Sequence, residues 1–241
     1  IIADNEIARR LLGAGLPGLP IYQEVAEWTT QIMPTASRPR RRTGVRIERG
    51  IPERMGDVAA CLERNRRRYQ FAPRFSAADL LSPERSRGLA PNDFFLAVIN
   101  NEVVGCLALW NQSGFKQVVV RGYAPRLARW RPWMNLLAPG LGTPRLPDPG
   151  HALPHAYLSH LAVDGDDPEI FRALVEAAYA EARARRYVYV VTGLAARHPW
   201  NAWLEKRFKP RAYASILYAV LWENEVVALD GRMPHVEVAL L

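Results

Sequence analysis

The stretch over residues 157–192 constrains the fold most, because it reads as a strand, an acidic turn, a helix and a second strand. Residues 157–163 are mostly apolar and of strand length, and the run Asp164-Gly165-Asp166-Asp167 interrupts them. Pro168 then opens a helix whose apolar side chains recur with the 3.6-residue period of one helix face. Those side chains are Ile170, Phe171, Leu174, Val175, Ala178, Tyr179 and Ala182. Two strands joined by such a helix form a crossover unit, in which ligands usually bind at the turn after the first strand.

The residues at the helix ends favour the same boundaries. Asp167 is a good N-cap, and Pro168 suits the first helical position, where an N–H would have no partner. Glu169 complements the positive end of the helix dipole, and Arg183 lies in the last turn, where a cation is favoured. Residues 187–192 are rich in tyrosine and valine and form the second strand of the unit.

Composition places the chain among ordinary globular proteins. The 241 residues are 49% hydrophobic and 23% charged, and no apolar run approaches the roughly 20 residues that span a bilayer. Cys61 and Cys106 lie in apolar contexts, which predicts small core residues, no disulfide framework and no metal site. We therefore expect a cytoplasmic location. The chain starts at Ile1 without a methionine, which suggests that a longer chain has been trimmed.

The net charge of +8 makes negatively charged partners worth considering. The arginines cluster in residues 38–42, 64–68 and 121–131. Solvated protein faces are the default explanation for such clusters, and no recognised nucleic-acid-binding motif accompanies them. We therefore predict no specific nucleic-acid partner.

The remaining patterns divide the chain into a short leading segment, a linker and a larger domain. Residues 5–12 predict a helix and residues 21–33 a strand, and the Arg- and Pro-rich residues 34–44 predict a linker. The larger domain then spans residues 45–241. Its predicted strands cover residues 45–48, 93–99, 102–110, 116–123, 157–163, 187–192, 211–222, 225–229 and 235–241, and its predicted helices cover residues 52–69, 76–81, 168–186 and 198–208. An antiparallel meander combined with a crossover helix predicts an α+β (mixed α/β) fold around a central mixed sheet flanked by helices.

Residues 124–156 interrupt this pattern with a proline-rich insert that carries Trp130, Trp133 and several arginines. Loops of this length inside a compact domain are usually functional or mobile. The insert could cover a substrate, or offer a basic and aromatic patch to a membrane surface or a partner. Alternatively, residues 125–137 form a short helix that packs its tryptophans on the domain or on a preceding part of the protein. We favour packing, because exposed aromatic clusters are costly in water.

The order of these elements resembles the fold of the GCN5-related N-acetyltransferases (GNAT). The resemblance is carried by Leu161-Ala162-Val163 at the end of the central strand and by the amphipathic helix after the turn. It is also carried by residues 203–211, which look like the family's tyrosine-x-lysine-x-glycine-phenylalanine segment. It covers about residues 45–241. Residues 1–33 in turn look like the final helix and strand of a preceding copy, which implies a tandem protein and a missing N-terminal GNAT-like partner.

The resemblance implies acetyl-CoA, or another acyl-CoA, as cofactor. The backbone of Leu161, Ala162 and Val163 would hold the pantetheine arm, Arg172 would face the pyrophosphate, and Asn201 would lie on the helix that flanks the cofactor. The turn departs from the family's glycine-rich pattern, because residues 166–171 contain no glycine. A carboxylate about 4 Å from a phosphate charge costs on the order of 4 kcal/mol at an effective dielectric of 20. We therefore expect weak cofactor binding.

The resemblance also implies a base and an acid. His160 on the central strand is the candidate base, although a lone strand histidine is often simply a packed, hydrogen-bonded residue. Trp203 occupies the family's tyrosine position and cannot donate a proton to a thiolate, so Tyr218 and Tyr157 are the substitute acids, of which Tyr218 is preferred.

Two functions of different classes follow from the resemblance. The leading one is acyl-CoA-dependent N-acyltransfer, with an acetyl group passed to the amine of a small molecule or protein. The alternative is a catalytically silent GNAT-like domain that serves as a binding or assembly half. A basic surface-binding module that uses Trp130 and Trp133 is a third interpretation, and self-association into a homo-oligomer stays open.

Overall fold

The structure is a computed structural model that describes residues 1–16, 18–40, 44–141, 143–222, 225 and 227–241. The strands of its main sheet are β1 (Ile21–Pro34), β2 (Arg46–Arg49), β4 (Phe94–Ile99), β5 (Glu102–Trp110), β6 (His155–Val163), β7 (Tyr189–Ala195) and β8 (Arg211–Leu221), and two short strands, β3 (Tyr69–Gln70) and β9 (Met233–Pro234), pair beside it. The helices are α1 (Glu6–Gly13), α2 (Met55–Arg66), α3 (Ala77–Leu81), α4 (Pro125–Leu141), α5 (Pro168–Ala184) and α6 (Trp200–Phe208). None of the helices within these described ranges is both long and apolar enough to cross a membrane.

The seven strands lie in the order β2-β4-β5-β6-β7-β1-β8, with β6 and β7 parallel and the other neighbours antiparallel. Alternate residues of a strand point to opposite faces, so β5 contributes to two cores. Leu107 and Leu109 pack with Phe171 and Leu174 of α5, whereas Cys106 and Ala108 pack with residues of α2 such as Val58. The sheet is therefore covered on both faces, which agrees with the predicted central mixed sheet flanked by helices.

Local predictions in the central unit are confirmed. Helix α5 begins at Pro168, and the Asp167 side chain accepts hydrogen bonds from the backbone N–H groups of Glu169 and Ile170. Outside the central unit, the dipeptide Asn100-Asn101 favours a type I′ hairpin turn, and it connects β4 to β5 with φ angles of +51° and +67°, as that turn requires at both central positions.

Strand β1 confirms the strand predicted over residues 21–33 and shows where it lies. It pairs antiparallel with β7 on one side and with β8 on the other. The leading segment therefore completes the sheet of the larger domain, whatever its origin. That it is the end of a preceding copy stays a prediction, and the linker predicted at 34–44 includes residues 41–43, which lie outside the described residues.

Two predicted strands are wrong. Residues 116–123 do not extend the sheet, because β6 already occupies the position beside β5; Val119 forms an isolated bridge with Ala152 instead. Residues 235–241 do not form a closing strand, because the Glu237 side chain caps a 3-10 turn over Val238–Leu240. The strand predicted over residues 225–229 includes Val226, which lies outside the described residues.

The predicted helix of the insert is longer than expected and packs differently. It runs over Pro125–Leu141 rather than residues 125–137. Trp130 and Trp133 are 63% and 62% exposed, so packing of these tryptophans on this domain is wrong.

Candidate functional site

The candidate site is a gap between β6 and β7. These two strands pair over only three residues, from His155↔Tyr189 to Tyr157↔Val191. Beyond this point β6 continues along β5 as far as Val163, while β7 continues along β1 as far as Ala195. The two strands thus separate, and the β7-facing edge of residues 158–163 has no partner strand in the described part of the chain. The resemblance to the GNAT fold implies such a splayed edge as the place where a cofactor binds.

A bulge in β6 turns one peptide group into this gap. The register moves from Ala108↔Ser159 to Cys106↔Ala162, so β6 has one residue more than β5 between these pairs. His160 lies in this bulge with a φ of +51°, a value that is uncommon for a residue other than glycine. Its carbonyl oxygen accepts a hydrogen bond from Cys106 Sγ at 3.4 Å.

The inward-turned N–H group of His160 is already bonded to a side chain. It donates to Glu237 Oε2 at 2.6 Å, and the Ala239 N–H donates to Oε1 of the same carboxylate at 3.3 Å. Glu237 is only 6% exposed, and burial raises the pKa of its carboxyl group to about 7. A carboxylate of the chain itself therefore occupies the central hydrogen-bond donor of the gap.

The side chain of His160 lies in an aromatic box rather than in an open cleft. Its ring centroid lies 4.4 Å from that of Phe75, 5.4 Å from that of Phe94 and 5.6 Å from that of Trp110. Its Nδ1 lies 3.0 Å from Ser159 Oγ. Burial lowers the pKa of the imidazole to about 3, so it is neutral at pH 7 and only a weak base. This environment matches the packed histidine weighed above, and a catalytic role for His160 stays a prediction.

Three further rings fill the space between the separating strands. Tyr69, His198 and His235 line a cavity together with Leu161 and Val163. This cavity measures about 10 Å³, and the one beside His160 and Glu237 about 20 Å³. A cavity needs roughly 10–15 Å³ to hold one water molecule, so each accommodates about one. Burial lowers the pKa values of His198 and His235 to about 4, and both rings are therefore neutral at pH 7.

The backbone predicted to hold a pantetheine arm is also engaged within the protein. The carbonyl oxygen of Val163 accepts a hydrogen bond from Arg68 Nη2 at 2.8 Å. Ala162 is buried in its pairing with Cys106, and Leu161 is half-buried at the cavity wall. A ligand at this edge would have to exchange these contacts.

Asp164 and Asp166 in the turn after β6 are paired with residues of α2 and of the segment that follows it. Arg64 donates to both oxygens of Asp164, at 3.0 and 2.7 Å, and Asn65 Nδ2 donates to the same carboxylate at 2.7 Å. Asp166 accepts from Arg68 Nη2 at 2.8 Å and from the Tyr69 hydroxyl at 2.7 Å. Arg64 and Arg68 are therefore ion-paired as well as partly exposed to solvent, by 50% and 34% of their side chains.

The N-terminus of α5 would receive the pyrophosphate by the resemblance, since helix N-termini present free N–H groups to anions. Here Asp167 Oδ1 accepts from the N–H groups of Glu169 and Ile170 at 2.7 and 3.2 Å, and Pro168 has no N–H to offer. The Asp167 carboxylate therefore bonds the N–H groups that a phosphate at this helix N-terminus would need. The groups present do not fit a pyrophosphate.

The remaining predicted site residues do not converge on the gap. Arg172 donates to Glu169 Oε1 at 2.6 Å, and its guanidinium lies 5.9 Å from the Trp203 ring centroid. The Asn201 amide is buried, with its nitrogen 2.9 Å from the Ala195 carbonyl oxygen and its oxygen 2.7 Å from Gln31 Nε2. A cofactor contact by Asn201 would require those hydrogen bonds to be exchanged.

Tyr218 lies apart from His160. It lines a separate groove with Arg9 and Tyr22, whereas His160 lines the cavity beside Glu237. The structure therefore does not bring the predicted base and the predicted acid together. In the described part of the chain, no group of three or more His, Cys, Asp or Glu side chains is arranged to hold a metal ion.

Sequence reasoning missed Glu237, the buried carboxyl group that bonds the His160 N–H in the gap. One signal was present: it is the only charged residue in the otherwise apolar run Val-Glu-Val-Ala-Leu-Leu. A lone carboxylate in such a run is rarely buried unless it has a partner.

No protein-family model and no curated protein matches the chain. A GCN5-related N-acetyltransferase from Sphaerobacter thermophilus shares 14% identity with a TM-score of 0.56, over 90% of this chain and 57% of that one. A Drosophila protein shares 10% identity with a TM-score of 0.51, over 93% of this chain and 60% of that one. The chain therefore has the fold of the GCN5-related N-acetyltransferases, and it spans less than two thirds of the length of these two structures.

Proposed function

We propose that this chain is a GNAT-fold domain that serves as a binding or assembly half and does not itself transfer an acyl group. One observation carries the proposal. The hydrogen-bond donors that the fold offers to a cofactor are taken by the chain's own carboxylates, Glu237 at the His160 N–H and Asp167 at the start of α5.

The energetic argument is that a cofactor would have to displace both carboxylates. Hydrogen bonds to charged groups contribute about 1.5–3 kcal/mol each, and a phosphate at the turn would also meet the negative charge of Asp167. The two cavities of about 20 and 10 Å³ offer no room for a thioester without movement of Tyr69 or His235.

The test is a titration of the purified chain with acetyl-CoA up to millimolar concentration, followed by melting temperature and by calorimetry. A ligand present at 100 times its Kd stabilises the native state by about 2.7 kcal/mol, which such a melting experiment detects readily. We expect no shift in melting temperature and no saturable heat. Saturable binding together with thiol release in the presence of an amine library would refute the proposal.

The second candidate function is acyl-CoA-dependent N-acyltransfer to an amine. It is favoured by the splayed edge of β6 and by Glu237, because a general base works best when its pKa lies near the operating pH. In this candidate Glu237 leaves the His160 N–H and accepts the proton of an ammonium group. The Glu237→Gln variant separates the two functions: it should abolish any thiol release if Glu237 is the base, and it leaves nothing to abolish if the domain is silent.

A further inference from the structure

The solvent-facing side of α4 is unusually apolar. Leu127, Trp130, Met134, Leu137 and Leu141 follow one another at spacings of three or four residues, which places them on one helix face together with Trp133. All six are exposed, by 37% to 64%. Monomeric soluble proteins rarely expose contiguous apolar patches larger than a few hundred Å², and larger ones mark interaction sites. We call this set of six side chains the α4 face.

A neighbouring side of α4, formed by Arg131, Asn135 and Ala138, fixes the helix to the rest of the insert. Asn135 exchanges two hydrogen bonds of 2.8 Å with the backbone of Leu146. Arg131 donates to the Pro147 carbonyl oxygen at 2.8 Å and pairs with Asp148, and Ala138 is buried. These contacts along one edge of the α4 face hold the helix against the insert and leave the face exposed to solvent.

The charge around the α4 face has a single sign. Between Glu102 and Asp148 the sequence contains no acidic residue and six basic ones. Two of these, Arg126 and Arg129, lie on α4 and are exposed. Exposed tryptophan and leucine side chains, combined with arginines and an absence of acidic residues, suit contact with an anionic lipid surface.

We propose that α4 docks this protein on an anionic lipid surface. A helix of 17 residues is about 25 Å long, which is enough for its exposed side chains to contact such a surface along several turns. The two tryptophans enter the headgroup region, where their amphipathic rings are favoured, and the arginines contact the lipid phosphates.

Docking at α4 is independent of the gap between β6 and β7. The carbonyl oxygen of Leu141, at the end of α4, accepts a hydrogen bond of 2.8 Å from Arg183 in the last turn of α5. Asp167 and the acidic turn lie at the other end of α5. The proposal therefore holds whether or not the domain binds a cofactor.

The test is co-sedimentation of the full chain with phosphatidylcholine vesicles, with and without 30% phosphatidylglycerol. We expect binding to the anionic vesicles only, and at least tenfold weaker binding at 0.5 M salt, because the electrostatic attraction is screened. The Trp130→Ser/Trp133→Ser variant should bind at least tenfold more weakly. The matched control is Trp222→Ser, since Trp222 is equally exposed at 63% but lies outside α4.

A second pair of variants tests the charge. Arg126→Gln/Arg129→Gln should weaken binding to anionic vesicles, whereas Arg10→Gln, on the exposed α1, should not. Far-ultraviolet circular dichroism and melting temperature establish that each variant folds.

Four outcomes would overturn the proposal. These are no binding to anionic vesicles, equal binding to neutral ones, an equal loss in Trp222→Ser, and a concentration-dependent dimer in sedimentation velocity that Trp130→Ser/Trp133→Ser abolishes. The last outcome would assign the α4 face to a second copy of the chain.

Discussion

The gap between β6 and β7 and the α4 face differ in whether their side chains and backbone groups have partners within the chain. In the gap, the His160 N–H and the Val163 carbonyl are bonded to side chains of the same chain, Glu237 and Arg68. On α4, the six side chains of the α4 face, together with Leu136, are exposed to solvent. The region that the fold normally uses for a ligand is closed on itself, and the inserted region is open.

This difference shows that the fold of this protein does not determine which of its surfaces binds a partner. A fold hosts many functions, and function resides in the particular side chains of a site. Here the fold and the separation of β6 from β7 are present, while the His160 N–H and the Val163 carbonyl are bonded within the chain. A large exposed apolar surface lies instead on the insert.

The largest expected effect comes from Glu237→Gln. The pKa of Glu237 is about 7 in the folded chain against 4.5 in the unfolded one, so the native state binds more protons between these values. Stability therefore falls as pH rises through this window. Urea unfolding should show that Glu237→Gln gains about 2–3 kcal/mol relative to wild type on going from pH 5 to pH 8.

Comparison with wild type at each pH cancels the contributions of His160, His198 and His235. Their lowered pKa values make stability rise with pH up to about 6.5 in both proteins. A difference in the free energy of unfolding between wild type and Glu237→Gln that does not change with pH would contradict the raised pKa of Glu237.

The next prediction compares a glycine-to-alanine substitution on β7, beside the gap, with one on α4. A Cβ on Gly193 of β7 would lie 2.6 Å from Trp28 Nε1 and 3.0 Å from Val238 Cβ, so Gly193→Ala should cost about 1–3 kcal/mol by overpacking. Gly140 on α4 has no neighbour within 4 Å, so Gly140→Ala should stabilise by about 0.4–1 kcal/mol through the unfolded state. Denaturant unfolding measures both changes in the free energy of unfolding. Two changes of the same sign would contradict the predicted contrast between β7 and α4.

A smaller effect is expected at the start of α5. Asp167→Ala removes the acceptor of two backbone N–H groups and should cost about 1 kcal/mol, which lowers the melting temperature by about 2–4 °C for a domain of this size. Asp167→Asn keeps the acceptor oxygen and should cost less. A loss in Asp167→Asn as large as in Asp167→Ala would show that the charge, and not the cap, matters.

The local features of the fold could be predicted because neighbouring residues determine them. The 3.6-residue period of α5, the cap at Asp167 and the turn at Asn100-Asn101 depend on a few consecutive side chains. The strand at residues 21–33 was also recognisable. Its position between β7 and β8 was not, since it depends on pairing with residues more than 150 positions away.

The candidate site was less predictable for the same physical reason. The Glu237 carboxylate meets the His160 N–H across 77 residues, and Arg64 meets Asp164 across 100. The alternation of residues 235–241 favours a strand, but burial of Glu237 beside His160 and capping of the following turn outweigh that local preference. The exposure of Trp130 and Trp133 contradicts the general rule on aromatic burial, which is why it points to a partner surface.

The most direct test of the closed gap is the backbone amide resonance of His160 in ¹⁵N-labelled protein. If Glu237 occupies this N–H, the resonance should titrate with an apparent pKa of about 7, lose that titration in Glu237→Gln, and remain unchanged when acetyl-CoA is added. An amide that exchanges rapidly with water and shifts on addition of acetyl-CoA would show instead that the gap is open to a cofactor.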